Sequence, residues 1–312
     1  MLVRLGYVAN ALRLEDSSPS RTVTLKSIHQ LNDRQVQLNR LTRVARENLV
    51  NTLRILKANV YDGIPLYRFT SKLVPLCTHP EFADWDYAAP LQEDFRAIGE
   101  FINRHGLRVS LHPDHFTLLN SPSEEVWGAS LRDLNYHQNV LLLMGLDETA
   151  KLIMHVGGKY DSRQAAVARF TARYATLPPS IKNRLALEND DRCFTATEVL
   201  QLAEANRIPM VLDLHHHRLL NHGEKVGELL PRVFQTWEAD RPKLHISSSK
   251  SPGEPRNHAD FIVPSEAAGF LNLSRELGRD YDLMIEAKQK DLALLKLAEE
   301  LRHMGFNLPT PG

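Results

Sequence analysis

Cysteine is scarce in this 312-residue sequence: only Cys77 and Cys193 occur, and they form no C-x-x-C pair. Two cysteines exclude the disulfide-rich scaffold of small secreted domains, and reduced thiols in the cytoplasm are expected instead. Long hydrophobic runs are also missing. The longest uninterrupted aliphatic stretch is 140–144, whereas a membrane-spanning helix needs about 20 apolar residues. Charged residues interrupt the amino terminus, which therefore lacks the apolar segment of a secretory signal.

Net charge is absent as well, since 38 lysines and arginines balance 38 aspartates and glutamates. This balance argues against a general nucleic-acid binder, which is usually basic over much of its surface. The charges are unevenly distributed, however, because residues 1–75 carry 12 basic and five acidic side chains. A basic end beside an acidic, histidine-containing body fits a protein that contacts a polyanion and holds cations. A solvated basic helix face explains the same distribution equally well.

What the sequence does contain is a repeated unit, in which a short apolar strand ends in a polar residue of metal-binding type. The clearest example is IPMVLDLHHHRLLN at 208–221, where a buried strand ends at Asp213 and continues into His215, His216 and His217. A carboxylate and imidazoles beside a buried strand are costly to desolvate unless a partner compensates them. A divalent metal such as Mn, Zn or Fe suits both kinds of ligand.

Eight such units predict eight strands that alternate with helices. The predicted strands are 1–8, 64–69, 107–111, 151–154, 184–187, 208–212, 242–246 and 281–285. The predicted helices are 36–56, 87–105, 124–144, 163–175, 195–206, 224–238, 265–277 and a closing helix to about 302. This count indicates an α/β protein with a single (β/α)8 TIM barrel, one domain over 1–312. An open doubly wound sheet would need a glycine-rich phosphate fingerprint after the first strand, which is absent.

In a TIM barrel the carboxyl ends of all strands meet at one catalytic rim. The acidic and imidazole residues at or after these ends are His79, His112, His155, Glu188, Asp213, His216, His245, His258 and Glu286. Any single histidine among them is equally well explained by a structural role. Together, however, nine such groups form an uncompensated cluster unless cations bind. We therefore predict two or three divalent ions that share a carboxylate, in a site with open positions for water and substrate.

The three consecutive histidines leave the sixth strand end ambiguous. If the strand continued, His215 would share a face with Asp213, whereas a turn after Asp213 would bring His216 inward. Serine catalysis is weakly supported, because the G-x-S-x-G motif is missing. Tyr7, His115 and Phe116 lie on predicted rim loops, where an aromatic ring either packs locally or acts as a wedge beside displaced bases.

The rim motifs, taken in order, resemble those of the UV damage endonuclease family. The resemblance is carried by LGYVANAL, GIPLYRFTSKLVPLCTHP, SLHPDHFTLLNSP, MHVGGKYD, LALENDD, VLDLHHH, PKLHISSSK, NHADF and MIEAKQKD. It implies a TIM barrel related to endonuclease IV and xylose isomerase. It further implies metal-dependent hydrolysis of the phosphodiester immediately 5′ to UV photoproducts, namely pyrimidine dimers, 6-4 photoproducts and also abasic sites, which leaves 3′-hydroxyl and 5′-phosphate ends.

The same resemblance implies a cluster of up to three manganese ions, with Zn²⁺, Co²⁺ or Mg²⁺ as substitutes, held by the nine residues named above. Its D-x-x-H spacing selects His216. The residues that it places in the catalytic step are Glu188, Glu286, His245 and Lys243, the last a candidate for covalent modification. The residues that we place on the DNA-facing and damage-contacting surface are Tyr7, Asn10, Arg68, His115, Phe116 and Tyr160. His115 replaces the glutamine usual in the family and can still donate a hydrogen bond and stack.

The expected partner is UV-damaged double-stranded DNA, bound by a cytoplasmic monomer with no obligate protein partner. Basic residues of the N-terminal third would hold the phosphate backbone, and rim aromatics would fill the gap left by a flipped photoproduct. An abasic-site endonuclease of the endonuclease IV type is one alternative. A xylose-isomerase-like sugar isomerase is another, and it would need no basic DNA-facing surface. A damage-binding or metal-binding module that has lost its chemistry is the non-enzyme alternative.

Overall fold

Eight short parallel strands pair side by side until the last one meets the first, in a computed structural model that describes residues 1–308. The barrel strands are β1 (Val3–Val8), β2 (Leu66–Arg68), β3 (Arg108–Leu111), β4 (Lys151–His155), β5 (Leu185–Glu188), β6 (Met210–Asp213), β7 (Lys243–Ile246) and β10 (Tyr281–Ile285). An antiparallel hairpin of β8 (Ser249–Ser251) and β9 (Glu254–His258) follows β7. The closed barrel confirms the predicted (β/α)8 fold.

Helices surround the barrel and connect its strands. They are α1 (Leu25–His29), α2 (Arg34–Tyr61), α3 (Ala88–His105), α4 (Glu124–Leu143), α5 (Arg163–Thr176), α6 (Pro179–Lys182), α7 (Ala196–Asn206), α8 (Leu214–Leu219), α9 (Val226–Gln235), α10 (Pro264–Arg275) and α11 (Lys290–His303). Local signals set their ends: the Ser123 side chain accepts from Val126 N to cap α4, and left-handed Gly106 ends α3. In residues 1–308 no helix is both long and apolar enough to cross a membrane.

Helix α8 and the β8–β9 hairpin are the main differences from the sequence prediction. The run of three histidines is helical rather than extended, because the Asp213 side chain accepts a hydrogen bond from His216 N at 2.7 Å and caps α8. The hairpin is absent from the eight strands predicted from the sequence. It is short and its residues are largely exposed, so it carries no hydrophobic alternation to reveal it.

The end of the barrel opposite the rim is closed by a second, smaller core of Ile153, Ala186, Val211 and Trp237, which we call the floor cluster. The first three members lie two residues before rim residues on the same strands and so share the inward face. Trp237 Nε1 donates to the carbonyl of Met210 at 2.7 Å, which fixes the indole ring. The interior is therefore packed below the rim and open only toward it within residues 1–308.

A charged layer lies near the floor cluster. Asp282 is fully buried and accepts two hydrogen bonds from Arg4, at 2.7 and 3.0 Å, and one from Arg108 at 2.6 Å. Lys243 pairs with Asp282 in the strand register, yet its Nζ is buried with no hydrogen-bond partner in residues 1–308. Burial, reinforced by the neighbouring arginines, holds the pKa of Lys243 well below its usual value. Burial therefore favours the uncharged form of the Lys243 amine.

Candidate active site

Glu188 lies at the centre of the rim cluster. The parallel register places His155 beside Glu188 and Asp213 beside His245. Each Glu188 oxygen contacts a different ring: Oε2 lies 2.9 Å from His112 Nε2, and Oε1 lies 2.6 Å from His245 Nδ1. His155 Nε2 is 3.7 Å from Oε2. Three imidazoles, from the ends of β3 and β4 and from β7, therefore converge on one carboxylate at the end of β5.

Glu286 extends this cluster across the barrel. Its Oε1 lies 3.2 Å from His245 Nδ1, and it also forms a very short ion pair with Arg68. Potential ligand atoms within 4.8 Å of one another form two groups, which are His112, His155 and Glu188, and Glu188, Asp213, His245 and Glu286. The two groups have Glu188 in common. The cluster can therefore hold metal ions, and a carboxylate shared between sites is part of its geometry.

His216, rather than His215, faces these carboxylates. Its Nδ1 hydrogen-bonds the carbonyl of Asn189 at 2.9 Å and lies 3.8 Å from Asp213 Oδ1 and 4.0 Å from Glu188 Oε1. His215 instead packs its fully buried ring edge-on to His258, with centroids 5.2 Å apart. The helical turn that begins at Asp213 produces this difference, because residues i and i+3 of a helix lie on one face.

The electrostatics of the cluster keep its carboxylates ionised. Burial would raise the pKa of Glu188, but the facing imidazoles of His245 and His155 outweigh it and lower the pKa well below the usual value. Burial would also raise the pKa of Glu286, but the charges of Arg68 and His245 outweigh this effect and lower the pKa below its usual value. Burial lowers the pKa of His155 to about 4, so this imidazole is neutral at pH 7. Ionised carboxylates beside a neutral imidazole are the protonation states in which these side chains bind metal.

Two unpaired atoms support the same conclusion. Asp213 Oδ2 and His245 Nε2 are buried and have no hydrogen-bond partner within residues 1–308. Unsatisfied buried polar atoms are rare in proteins, and a place for a bound ion is one standard explanation. A carboxylate oxygen and an imidazole nitrogen are the donor atoms that Mn²⁺ and Zn²⁺ accept. The residues present therefore fit a divalent metal.

His79 and His258 lie outside this cluster. His79 caps a 3-10 helix at Pro80–Phe82, where its Nδ1 accepts from Glu81 N at 3.3 Å, and its ring lines a surface cavity of about 510 Å³. His258 ends β9 and packs on His215. Within the described chain, neither forms an ion pair with a rim carboxylate closer than 4.0 Å. The structure brings together seven of the nine predicted ligands, namely His112, His155, Glu188, Asp213, His216, His245 and Glu286.

The structure corrects the prediction that Tyr7 is a wedge at the rim. Its ring is completely buried, and its hydroxyl donates to Asn59 Oδ1 of α2 at 2.7 Å. The ring also meets Tyr67 edge-on at 5.6 Å. Side chains alternate along a strand, so Tyr7 faces outward from β1 into the layer between barrel and helix. The ring is therefore not exposed at the rim.

Two other residues predicted to contact DNA also have different surroundings. Arg68 is held inside the rim by Glu286 and has only 11% of its side chain exposed, so it belongs to the cluster rather than to the outer surface. Asn10 is half-buried, and its Oδ1 has no hydrogen-bond partner in the described residues.

His115 and Phe116 lie at the rim as predicted. They are the two central residues of a β-turn at 114–117, closed by a hydrogen bond from Thr117 N to the carbonyl of Asp114 at 2.9 Å. We call this segment the probe turn. Phe116 is 53% exposed, while the His115 ring lies nearly parallel to that of His155 with centroids 6.5 Å apart. The probe turn therefore borders the metal-binding cluster.

Tyr160 provides a second exposed ring on the next loop. It is 40% exposed, adopts a left-handed backbone with φ 50°, and has the guanidinium of Arg169 5.4 Å from its ring centre. The Asn120 side chain donates to the carbonyl of Gly158 at 2.8 Å and ties this loop to the one that carries the probe turn. Left-handed non-glycine residues concentrate at functional sites.

Six of the 12 basic residues in 1–75 form ion pairs. Arg46 pairs with Asp94 at 3.1 Å, and Arg34 pairs with Asp84 at 2.6 Å. Arg13 forms an ion pair with Asp62. The other six, such as Arg43 and Lys57, have no ion pair in the described residues, so phosphate binding by this third of the chain stays a prediction.

Asn189 is a functional residue that the sequence prediction missed. It is completely buried, its Nδ2 donates to the carbonyl of Asp213 at 3.0 Å, and its Oδ1 accepts from Asp213 N at 2.8 Å. Its own carbonyl accepts from His216. It therefore fixes two candidate ligands relative to Glu188. Its place directly after Glu188 at a strand end was the available signal.

Comparisons with known proteins agree with this geometry. The family described as UV-endonuclease UvdE matches residues 3–308. The chain is 42% identical over 303 residues to the UV DNA damage endonuclease of Bacillus cereus (strain Q1), covering 96% of this chain and 95% of that protein. The crystal structure of SacUVDE superposes with a TM-score of 0.88 and 32% identity, covering 97% and 99% of the two chains.

A more distant structural neighbour agrees in fold alone. Endonuclease IV from Thermus thermophilus matches with a TM-score of 0.58 and 15% identity, covering 96% of this chain and 99% of that one. The full-length family match, the identity to the Bacillus protein and the likeness to SacUVDE lead to one conclusion: this chain belongs to the UV-endonuclease UvdE family and is an endonuclease that acts on phosphodiester bonds.

Proposed function

We propose that this protein is a metal-dependent DNA repair endonuclease that cuts the phosphodiester immediately 5′ to UV photoproducts and leaves 3′-hydroxyl and 5′-phosphate ends. The observation that carries the proposal is the two donor groups sharing Glu188, placed beside an exposed aromatic turn. Membership of the UvdE family supports the choice of damaged DNA over a sugar substrate. Pyrimidine dimers and 6-4 photoproducts are the proposed substrates, with abasic sites as secondary ones.

The proposed ligands are the seven clustered residues together with His79 and His258, and the proposed ions are two or three Mn²⁺, replaceable by Zn²⁺, Co²⁺ or Mg²⁺. When bound, divalent ions at such a site supply a hydroxide at neutral pH and stabilise the charge of the leaving oxygen. For His79 and His258 to take part, their loops would have to move inward, since both lie outside the cluster.

The residues of the chain itself prepare the site. Arg68 holds Glu286 in one position and keeps it ionised. Asn189 fixes the backbone of Asp213 and orients the ring of His216, so that ligands from two strands keep their spacing. Lys243 lies below as a buried amine without a hydrogen-bond partner in the described residues, and burial lowers its pKa, which makes it a candidate for covalent modification. Preorganised ligands reduce the cost of assembling a charged site during the reaction.

Damage recognition is assigned to the probe turn. A photoproduct stacks and pairs poorly, so rotating it out of the duplex costs less than rotating a normal base. Phe116 is exposed and can stack in the vacated space, and Tyr160 offers a second ring on the neighbouring loop. His115 can donate a hydrogen bond to a base edge where the family usually has glutamine. The damaged duplex is thus bent over the same rim that holds the cluster.

The test is incision of a duplex that contains one defined pyrimidine dimer, with the cut position mapped at single-nucleotide resolution. We expect one nick directly 5′ to the dimer in the presence of Mn²⁺ and none with a chelator. Glu188→Gln and Glu286→Gln should each abolish nicking. Glu93→Gln, an exposed glutamate on the outer face of α3, is the matched control and should keep full activity.

Parallel oligonucleotides separate the alternatives. An abasic-site endonuclease would cut an abasic duplex far faster than the dimer duplex, and a sugar isomerase would cut neither. Nicking that persists with a chelator, or in Glu188→Gln, would refute the metal-dependent proposal. All proposed ligands come from one chain, which supports action as a monomer without an obligate protein partner. Its bacterial relatives support a cytoplasmic location.

A further inference from the structure

The probe turn is held by side chains of α4 that have no direct contact with the metal-binding cluster. Ser130, completely buried on α4, is the first of them. Its Oγ accepts from Leu118 N at 2.8 Å and lies 3.4 Å from the carbonyl of Phe116. The same hydroxyl contacts the carbonyl of Val126 at 2.7 Å, which anchors it to its own helix. Ser130 therefore binds the backbone on both sides of Thr117.

Asp133, one turn further along α4, binds the last residue of the turn. Thr117 Oγ1 donates to Asp133 Oδ2 at 2.5 Å, and both residues are buried. His137 backs this carboxylate: its Nδ1 lies 2.8 Å from the Asp133 carbonyl and 3.5 Å from Asp133 Oδ2. A hydroxyl hydrogen bond to a buried carboxylate is short and stronger than a neutral one. This bond therefore fixes the position of Thr117.

The opposite end of the turn has a weaker tether. Asp114 Oδ1 accepts from Ser71 Oγ at 3.0 Å, on the loop after β2. Between the tethers, His115 and Phe116 are exposed, so their direction depends on the backbone that carries them. An exposed loop with free ends would adopt many conformations, and ordering it on binding would weaken the complex. Here the buried bonds order it in advance.

We propose that Ser130 and Asp133 are positioning residues for damage discrimination, which fix the probe turn so that His115 and Phe116 meet the distorted duplex in one orientation. The inference rests on the proposed function, because it requires the turn to contact damaged DNA. It assigns no chemical step to either residue. Loss of either bond should leave the metal-binding cluster intact and loosen the discrimination between damaged and intact duplex.

The experiment compares Thr117→Val, which removes the hydroxyl at nearly constant volume, with Thr117→Ser, which restores it. The main measurement is the ratio of dissociation constants for intact and dimer-containing duplex. We expect Thr117→Val to lower this ratio about tenfold, equivalent to about 1.4 kcal/mol, and Thr117→Ser to return it to the wild-type value. KM for the dimer duplex should rise, while kcat at saturating DNA should stay close to wild type.

Thr52→Val is the matched control. Thr52 is also completely buried and donates its hydroxyl to the Asn48 carbonyl at 2.8 Å, but it lies within α2. This variant should lose stability and keep the discrimination ratio. Hydrogen exchange followed by mass spectrometry supplies a readout without DNA, and amides of 115–118 should exchange faster in Thr117→Val than in Thr52→Val.

If Thr117→Val fails to fold, Ser130→Ala tests the positioning role instead, because alanine is well tolerated within a helix. An unchanged discrimination ratio in Ser130→Ala, or in folded Thr117→Val, would overturn the inference. The outcome is separable from failure of the proposed function. If wild-type protein cuts the dimer duplex but the variants keep the ratio, only the positioning role is lost; if wild type does not cut it, the proposed function itself fails.

Discussion

At the scale of single residues, two imidazoles of the cluster, those of His216 and His155, have opposite charge states. Burial disfavours the charge on His216, but Asp213 and Glu188 outweigh it and raise the pKa of His216 to about 9. For His155 burial prevails and lowers the pKa to about 4. Without metal, His216 is therefore protonated at pH 7 and His155 is neutral. Because a metal ligand must be an unprotonated imidazole, metal binding through His216 at neutral pH would displace a proton from it.

We therefore predict that the apparent affinity for Mn²⁺ rises with pH up to about 9. Below the pKa of His216 the affinity should fall about tenfold per pH unit, since one proton competes with the ion. Competition with a fluorescent chelator at several pH values measures this slope. His216→Gln should bind more weakly with a flatter profile. A wild-type affinity that does not change between pH 7 and 9 would contradict the assignment of His216 as a ligand.

Tyr7 gives a second residue-scale prediction, because its corrected position makes its role structural. Tyr7→Phe removes the hydrogen bond to buried Asn59 and should lower the free energy of unfolding by about 1–3 kcal/mol. Urea unfolding measures this loss. The ratio of affinities for intact and damaged duplex should stay unchanged. A large fall in that ratio would restore Tyr7 to the damage-sensing surface.

At the scale of secondary-structure elements, α3 and α4 cross at a glycine. A Cβ built on Gly99 of α3 would lie 1.5 Å from the carbonyl oxygen of Met144, which follows α4. Gly128, within α4, has open space by comparison, since the nearest atom to its Cβ would be the flexible end of Arg132 at 3.7 Å. Substitution to alanine at Gly99 therefore tests close packing, whereas the same substitution at Gly128 tests helix propensity.

Gly99→Ala should destabilise the fold by about 1–3 kcal/mol or more, because the methyl group forces the crossing apart. Gly128→Ala should have the opposite sign and stabilise by about 0.5–1 kcal/mol, since alanine restricts the unfolded chain and favours the helix. Chemical denaturation of both variants measures the difference. Equal effects of the two substitutions would show that the crossing tolerates a methyl group.

The elements of the barrel could be predicted because each strand leaves a direct mark on the sequence. Leu185–Glu188 is apolar and fully buried until its final carboxylate, and the other strands repeat this pattern. Helix α8 could not be predicted, because its formation depends on Asp213 capping three residues that also fit a strand. The positions of His79 and His258 were equally inaccessible. His79 lies on the connection after β2 and His258 ends the hairpin after β7, so the register of the barrel strands does not fix either side chain.

At the scale of the whole molecule, barrel closure gathers the site. His112 and Glu286 are far apart in sequence, yet both lie in the ring of residues around Glu188 and His245. The sequence was sufficient to name the members of this set, since the fold brings every strand end to one rim. The sequence was not sufficient to predict which basic residues form ion pairs in the fold. The basic surplus of the N-terminal third is only partly paired: Arg34 and Arg46 form ion pairs with acidic groups elsewhere in the fold, whereas Arg43 has none in the described residues.

A whole-molecule consequence is that metal binding should stabilise the folded chain. The unfolded chain lacks the assembled cluster, so an ion at about 100 times its dissociation constant adds about 2.7 kcal/mol to the free energy of unfolding. The thermal midpoint should therefore rise on addition of Mn²⁺, as measured by scanning calorimetry. Glu188→Gln should show a much smaller rise, whereas Glu93→Gln should match wild type. A midpoint that is insensitive to Mn²⁺ in wild type would argue against a metal centre at this rim.

The floor cluster has a further consequence for the exchange of ions. Trp237 and its three apolar neighbours block passage through the lower end of the barrel in the described chain. Ions would then enter and leave through the rim, on the face where a duplex is proposed to lie. A bound duplex would cover the rim, so the bound cations should exchange slowly with solvent for as long as the DNA stays bound.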